Sequence, residues 1–176
     1  MYLTDAEVYA SEVCFALKPH CDKIAVVGSV RRRKPRVHDI EVVCVPKRHT
    51  DLFGQVVGVS EDFISVVNQW EAVKGEPSGK YTRRRLPILD GFNASPECDI
   101  FMADFENFGW IMALRTGSSE FNQSFWIPKL RAVGIMSIGG YLRKMSDSSL
   151  VKVPDEETLF KLIGSGYIRP EERSGE

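Results

Sequence analysis

Three things are scarce in this chain, and each scarcity narrows what it can be. No apolar run approaches the ~20 residues that a membrane-spanning helix needs, so no membrane partner is expected. Positive charge is not in surplus: 23 Lys and Arg stand against 24 Asp and Glu, for a net charge of -1. Gripping nucleic acid by bulk charge calls for a strongly basic chain, so any such role must rest on local clusters. These are Arg31-Arg32-Arg33-Lys34, Lys47-Arg48 and Arg83-Arg84-Arg85. The four cysteines, Cys14, Cys21, Cys44 and Cys98, form no C-x-x-C pair, which argues against a zinc site. They read as buried thiols in a reducing compartment. Internal repeats and low-complexity tracts are missing as well. The opening stretch MYLTDAEVYA is acidic and amphipathic rather than signal-peptide-like.

What is present is enough apolar content, 43% of 176 residues, for one domain or a compact pair of subdomains. The informative stretch is IAVVGSVRRRKPRVHDIEVVCVP, Ile24 to Pro46. It reads as a strand, a Gly28-Ser29 turn, a basic loop and a second strand, Asp39–Pro46. Side chains alternate across a strand, so Asp39 and Glu41 share one face and Ile40 points to the other. Downstream, in ECDIFMAD, Asp99 lies in another apolar strand, Cys98–Ala103. Two carboxylates on one strand and a third on a neighbour can converge on a pair of divalent ions. Backbone N–H groups of the Gly28-Ser29 turn and the cations Arg31–Lys34 can meet phosphate. Together these are the parts of a metal-dependent phosphoryl transferase. Alone, a D-x-E pair is usually a charged strand end and Gly-Ser only a turn. The weight lies in their order and in the eleven-residue step from Gly28 to Asp39.

Other elements follow from local pattern. Thr4–Leu17 reads as a helix with a Thr4/Glu7 capping box, ended by Pro19. Residues 51–73 mix strand-like valines with helical spacing, and a helix capped by Ser60 is expected over Ser60–Trp70. Lys74–Arg85 reads as a turn leading into a strand, KYTRRRL, whose alternation sets Arg83 and Arg85 opposite Arg84. That strand is either an edge protected by charge or a strip that tracks phosphates. Leu86–Glu97 is a loop. A helix from Asn107 is interrupted at Thr116-Gly117-Ser118 and resumes over Glu120–Val133, with a kink at Pro128. Asp104 and Glu106 read as surface acids or a helix start. Gly134–Lys152 reads as a hairpin. Asp155–Ile163 is a helix stopped by Gly164 or Gly166, and Glu171–Glu176 should fray.

GSVRRRKPRVHDIEVV resembles the signature of family X DNA polymerases, the DNA polymerase beta-like nucleotidyltransferases: Gly-Ser-x-Arg-Arg, then Asp-Ile-Asp. ALRTGSSEFN resembles the family's Thr-Gly-Ser-x-x-Phe-Asn segment, and PDEETLFKLIGSGYIRPEER its closing motif. The resemblance spans nearly the whole chain in order. It implies an α+β fold: a nucleotidyltransferase palm whose mixed sheet carries three carboxylates (residues 1–104), plus a small C-terminal α/β subdomain (residues 105–176). It implies that Asp39, Glu41 and Asp99 are both catalytic residues and ligands of two Mg²⁺ ions, with Mn²⁺ as a substitute. Gly28, Ser29 and Arg32 would hold the β- and γ-phosphates of a dNTP, and Thr116, Gly117 and Asn122 its sugar and base. Lys80, Arg83 and Arg85 would track the backbone of gapped or primer-template DNA.

The implied activity is metal-dependent nucleotidyl transfer to a primer 3′-hydroxyl, in short-gap DNA repair. The implied setting is a monomer inside a bacterium or an infected host cell, as for small viral members. The lyase and helix-hairpin-helix modules of larger relatives are not expected. Four positions depart from the family pattern. Glu41 replaces an Asp, Glu97 replaces an Arg two residues before the third acid, and His38 replaces a small residue. Leu114 and Arg115 replace an aromatic pair, which bears on ribonucleotide discrimination. Two other readings stand beside this one: transfer to a different acceptor (single-stranded DNA, RNA or a protein hydroxyl), and a catalytically silent nucleic-acid- or nucleotide-binding module.

Overall fold

A strand buried on both faces organises the molecule. In the computed structural model, which describes residues 1–174, every residue of β2 (Ile40–Pro46) is buried except Glu41. Such a strand can only be central, and its near-continuous Ile/Val run is the signature of burial on two faces. The mixed five-stranded sheet runs β1-β2-β7-β6-β5, with β1 Cys21–Val26, β5 Glu71–Gly75, β6 Tyr81–Arg85 and β7 Glu97–Met102. β2 and β7 are parallel, and the other neighbours are antiparallel.

One face carries Ile40, Val42, Cys44, Cys98 and Ile100, packed under α1 (Leu3–Leu17) and α3 (Glu61–Val67) through Tyr9, Val13, Leu17, Phe63 and Val67. The other face carries Val43, Val45 and Phe101, covered by Val27 and by Phe108 of α4 (Phe108–Thr116). A third core gathers Trp110, Trp126, Leu142, Val153, Leu159 and Phe160 around the three-stranded sheet β8 (Ile135–Ile138), β9 (Tyr141–Lys144) and β10 (Leu150–Val151). The chain is thus an α+β protein with a mixed sheet. No helix among the described residues is long and apolar enough to cross a membrane.

Several expectations are corrected. The Thr4 capping box does not form: the N-cap is Tyr2, with no side-chain cap. Tyr2 instead bridges Arg36, and the Leu3 N–H donates to the Pro35 carbonyl, so tertiary pairing draws the helix start forward. Residues 71–75 form strand β5, although Glu, Lys and Gly give them little strand preference; pairing with β6 supplies it. The first half of 51–73 includes strand β4 (Val56–Val59), which pairs with β3 (Arg48–Thr50) as a hairpin. Where a kink at Pro128 is expected, the chain forms a π-helical turn over Asn122–Trp126 between α5 (Ser119–Phe121) and α6 (Ile127–Ala132), with Pro128 in the first turn of α6, where its missing N–H is tolerated. The tail does not fray over its described residues. Arg173 is fully buried, and the expectation for 175 and 176 lies outside the described residues. Ser60 caps α3 through the Phe63 N–H, and Gly164, at φ +63°, follows α7 (Glu156–Leu162) and ends it.

Candidate active site

Parallel pairing of β2 with β7 sets Glu41 directly opposite Asp99, and antiparallel pairing of β7 with β6 sets Arg83 opposite Asp99 on its other side. Glu41, Asp99 and Arg83 therefore form a row across the sheet, on the face shared with Val43 and Phe101. Asp39 stands just before β2. Asp99 is nearly buried, and Asp39 and Glu41 are half-buried.

Each side chain in the row has a definable electrostatic state. The Asp99 Oδ1 accepts hydrogen bonds from Arg83 Nε at 2.5 Å and from the Tyr81 hydroxyl at 2.9 Å, and its Oδ2 accepts one from Arg83 Nη2 at 2.7 Å. Arg83 Nη2 also reaches Asp39 Oδ2 at 3.3 Å. Glu41 has no such hydrogen-bonded cation among the described residues. Burial, then the charges of Asp39 and Asp99, push its pKa up to about 7, against the smaller opposing pull of Arg32 and Arg115. Asp39 is likewise raised, by burial first and Asp99 second. The cluster is short of positive charge at Glu41.

Glu41 also explains the glycine beside it. Gly28 sits at φ +65°, and a Cβ there would fall 1.7 Å from Glu41 Oε2. Gly28 begins α2 (Gly28–Arg31), a single helical turn. Glycine is thus required both for its left-handed backbone and for the space its missing side chain leaves to the carboxylate.

The row lies between two open clefts of about 440 Å³ each. One is lined by Arg32, Glu41, Arg115, Gly117, Ser118 and Asn122, and is cationic. The other is lined by Met1, His38, Asp39, Arg83, Ser95 and Glu97. In the cationic cleft, a Cβ on Gly117 would lie 2.4 Å from Asn122 Oδ1. Asn122 Nδ2 donates to the Leu114 carbonyl at 2.9 Å, across the break between α4 and α5. Arg32 Nε and Asn122 Oδ1 are buried without a hydrogen-bond partner among the described residues, a costly state that a polar ligand would relieve.

The other sequence-derived candidates are placed as follows. Ser29 is half-buried in α2. Thr116 is fully buried and does not line the cleft. Its hydroxyl accepts from Arg31 Nη1 at 2.7 Å and its carbonyl from Arg32 Nη1 at 2.5 Å, so it joins α4 to the arginines of the Gly28 turn. Lys80 donates to the Gly139 carbonyl, and Arg85 pairs with Glu71 and Glu97. All three cations of the expected phosphate strip, Lys80, Arg83 and Arg85, thus have acceptors within the chain. Tyr81 and Glu97, both in contact with the row's members, escaped the sequence reading as positive candidates. Tyr81 was visible in principle, two residues before Arg83 on the same strand face.

Among the described residues no group of three His, Cys, Asp or Glu side chains forms a ready-made metal cage; Arg83 instead ties Asp99 to Asp39. The donor set nevertheless suits a hard divalent cation, because its oxygens are carboxylate and the charges of Arg32 and Arg115 only partly offset those around Glu41. No protein-family model matches the chain, and none of the curated proteins matches it. Its function is therefore read from this chemistry.

A pH effect follows. The folded state holds the Glu41 proton up to about pH 7, against an ordinary value of 4.5. The group's contribution to stability is full below the lower value and lost as pH rises through the upper one. A divalent ion binds the deprotonated form. Mg²⁺ should therefore raise the melting temperature more at pH 8 than at pH 5.5, as checked by thermal denaturation with and without the ion. An equal effect at both values would show that Mg²⁺ does not engage Glu41.

Proposed function

We propose that this chain is a metal-dependent nucleotidyltransferase of the family X DNA polymerase type, which adds a nucleotide from a dNTP to a primer 3′-hydroxyl in short gaps. The observation that carries the reading is the row Glu41–Asp99–Arg83, with Asp39 beside it, set between a cationic cleft and a second, acid-lined one. The acceptor oxygen bonds to the α-phosphorus, the bond to the bridging oxygen breaks, and pyrophosphate leaves. Arg32, with the Gly28-Ser29 turn, holds the triphosphate in the cationic cleft. A planar guanidinium suits phosphate, and the unpartnered Arg32 Nε is free to donate. Gly117 gives the ligand close access to backbone, and Asn122 Oδ1 offers an acceptor.

Asp39 lines the opposite cleft, from which the acceptor hydroxyl would approach, and the hydroxyl proton passes to water in that cleft. Asp39, Glu41 and Asp99 would hold two Mg²⁺ or Mn²⁺ ions, which when bound activate the attacking hydroxyl and neutralise the leaving group. One observation favours transfer to an acceptor other than DNA: Lys80, Arg83 and Arg85 are engaged within the chain, which leaves β6 a poor phosphate track.

The test is primer extension on a one-nucleotide-gapped duplex with single dNTPs, in Mg²⁺ or Mn²⁺. Templated addition that vanishes in Asp99→Asn is the expected result. Untemplated addition would indicate a terminal transferase. No addition to gapped, recessed or single-stranded DNA would remove the polymerase reading and leave another acceptor or a silent binding module.

A further inference from the structure

We infer that Arg83 is a positioning residue and internal counter-cation of the carboxylate row: it orients Asp99, leaves it one free lone pair, and competes with a divalent ion for Asp99 and Asp39. This rests on the reading of the row as a nucleotidyl-transfer centre.

The geometry is specific to a guanidinium. Nε and Nη2 fork across both oxygens of Asp99, Nη2 bridges on to Asp39, and Nη1 reaches Glu97 Oε2 at 3.2 Å. All three nitrogens are thus committed to carboxylates, which a lysine, with one nitrogen, could not reproduce. A carboxylate offers about four lone-pair sites. At Asp99, Arg83 Nε and the Tyr81 hydroxyl use both sites on Oδ1, and Arg83 Nη2 uses one on Oδ2. One site on Oδ2 remains, so the fork dictates how Asp99 can meet an ion.

Nη2 lies between Asp99 and Asp39, where a cation shared by those two residues would also be drawn. Like charges so close repel, and removing the guanidinium should therefore strengthen divalent binding while loosening Asp99. Glu97 contributes by holding Nη1 of Arg83 and Nη2 of Arg85 from either oxygen. The cation thus comes from β6, while β7 supplies an acid to anchor it.

Mn²⁺ binding to the free protein, followed by electron paramagnetic resonance, separates these effects from turnover. Arg83→Met should bind Mn²⁺ about tenfold or more tightly than the parent, and Arg83→Lys, which keeps the charge, about as the parent does. Both should lose about tenfold or more in single-turnover rate at saturating Mn²⁺, because the fork is gone in each. Arg83→Met with parent-like or weaker Mn²⁺ affinity and an unchanged melting temperature would overturn the inference. If Arg83→Met does not fold, Arg83→Lys decides: a parental rate overturns it, and parental affinity with a lost rate supports it. Should the parent bind no Mn²⁺, or Asp99→Asn bind it as the parent does, the nucleotidyl-transfer reading of the row falls with it.

Discussion

Glu41→Gln is expected to abolish nucleotidyl transfer while making the protein more stable. The two effects have one cause. Glu41 is a half-buried carboxylate with two like charges near it and, among the described residues, no cation in hydrogen-bond contact, which raises its pKa to about 7. Gln keeps the shape that fills the space over Gly28 but removes the charge. The repulsion disappears, so the melting temperature at pH 8 should rise, and the Mg²⁺-dependent rise predicted for the parent should shrink. Transfer should fall about a thousandfold, equivalent to ~4 kcal/mol of barrier. Steady-state rates and thermal melts on the same preparation check both. Near-parental turnover would show that Glu41 does not serve the reaction, whatever its effect on stability. Loss of activity with a lower melting temperature would instead make it an ordinary structural residue. Opposed changes in stability and activity are what a strained functional site produces.

The local half of this arrangement is legible in the sequence. Gly28, Asp39 and Glu41 sit at strand ends and Asp99 within a third strand, all recognisable from short apolar runs, and the period of two places Asp39 and Glu41 on one face. What needs the fold is every relation between distant segments. Nothing in the sequence pairs Glu41 with Asp99 in register, because that depends on β2 and β7 lying side by side and parallel. Arg83 reads as a free cation in KYTRRRL, and only the antiparallel β6–β7 pairing shows that its charge is spent on Asp99. The resemblance of ALRTGSSEFN makes Thr116 a nucleotide contact, yet its hydroxyl is taken by Arg31. Residues 71–75 fail as a strand on propensity and become one by pairing. Arg173, in a charged tail that would normally fray, is held by a partner 17 positions away.

That partner is Glu156, and its removal should be among the most damaging single changes to stability. Glu156 is only 4% exposed, and it stands between Arg31 and Arg173, themselves 19% and 0% exposed. Arg31 donates to both its oxygens at 2.9 and 2.7 Å, and Arg173 to the same two at 2.5 and 3.3 Å. Burial pushes the Glu156 carboxyl up, but the hydrogen bonds and charges of the two arginines outweigh it and hold the pKa below its ordinary value. Glu156→Gln keeps the shape but leaves the buried Arg173 and the half-buried Arg31 facing a neutral amide, with only the Ile168 carbonyl and the Thr116 hydroxyl as their remaining acceptors among the described residues. Breaking a buried ion pair from one side costs about 3–5 kcal/mol, and for a chain of this size the melting temperature should drop by roughly 10 °C or more. Removing a cation instead, by Arg173→Met, leaves Glu156 with Arg31 and should cost less.

The consequence reaches the cleft. Arg31 also binds the Thr116 hydroxyl, and Arg32, its neighbour, binds the Thr116 carbonyl. Glu156 thus fixes the arginine turn against the end of α4, where Gly117 and Asn122 line the cationic cleft proposed to take the nucleotide. Below the melting transition, Glu156→Gln should therefore weaken nucleoside triphosphate binding, measurable by calorimetry, although no atom of Glu156 need touch the ligand. Thermal melts of the Glu156→Gln and Arg173→Met proteins test the order. A Glu156→Gln protein that melts with the parent would show that the two arginines are satisfied without it, and that the arginine turn is held by Thr116 alone.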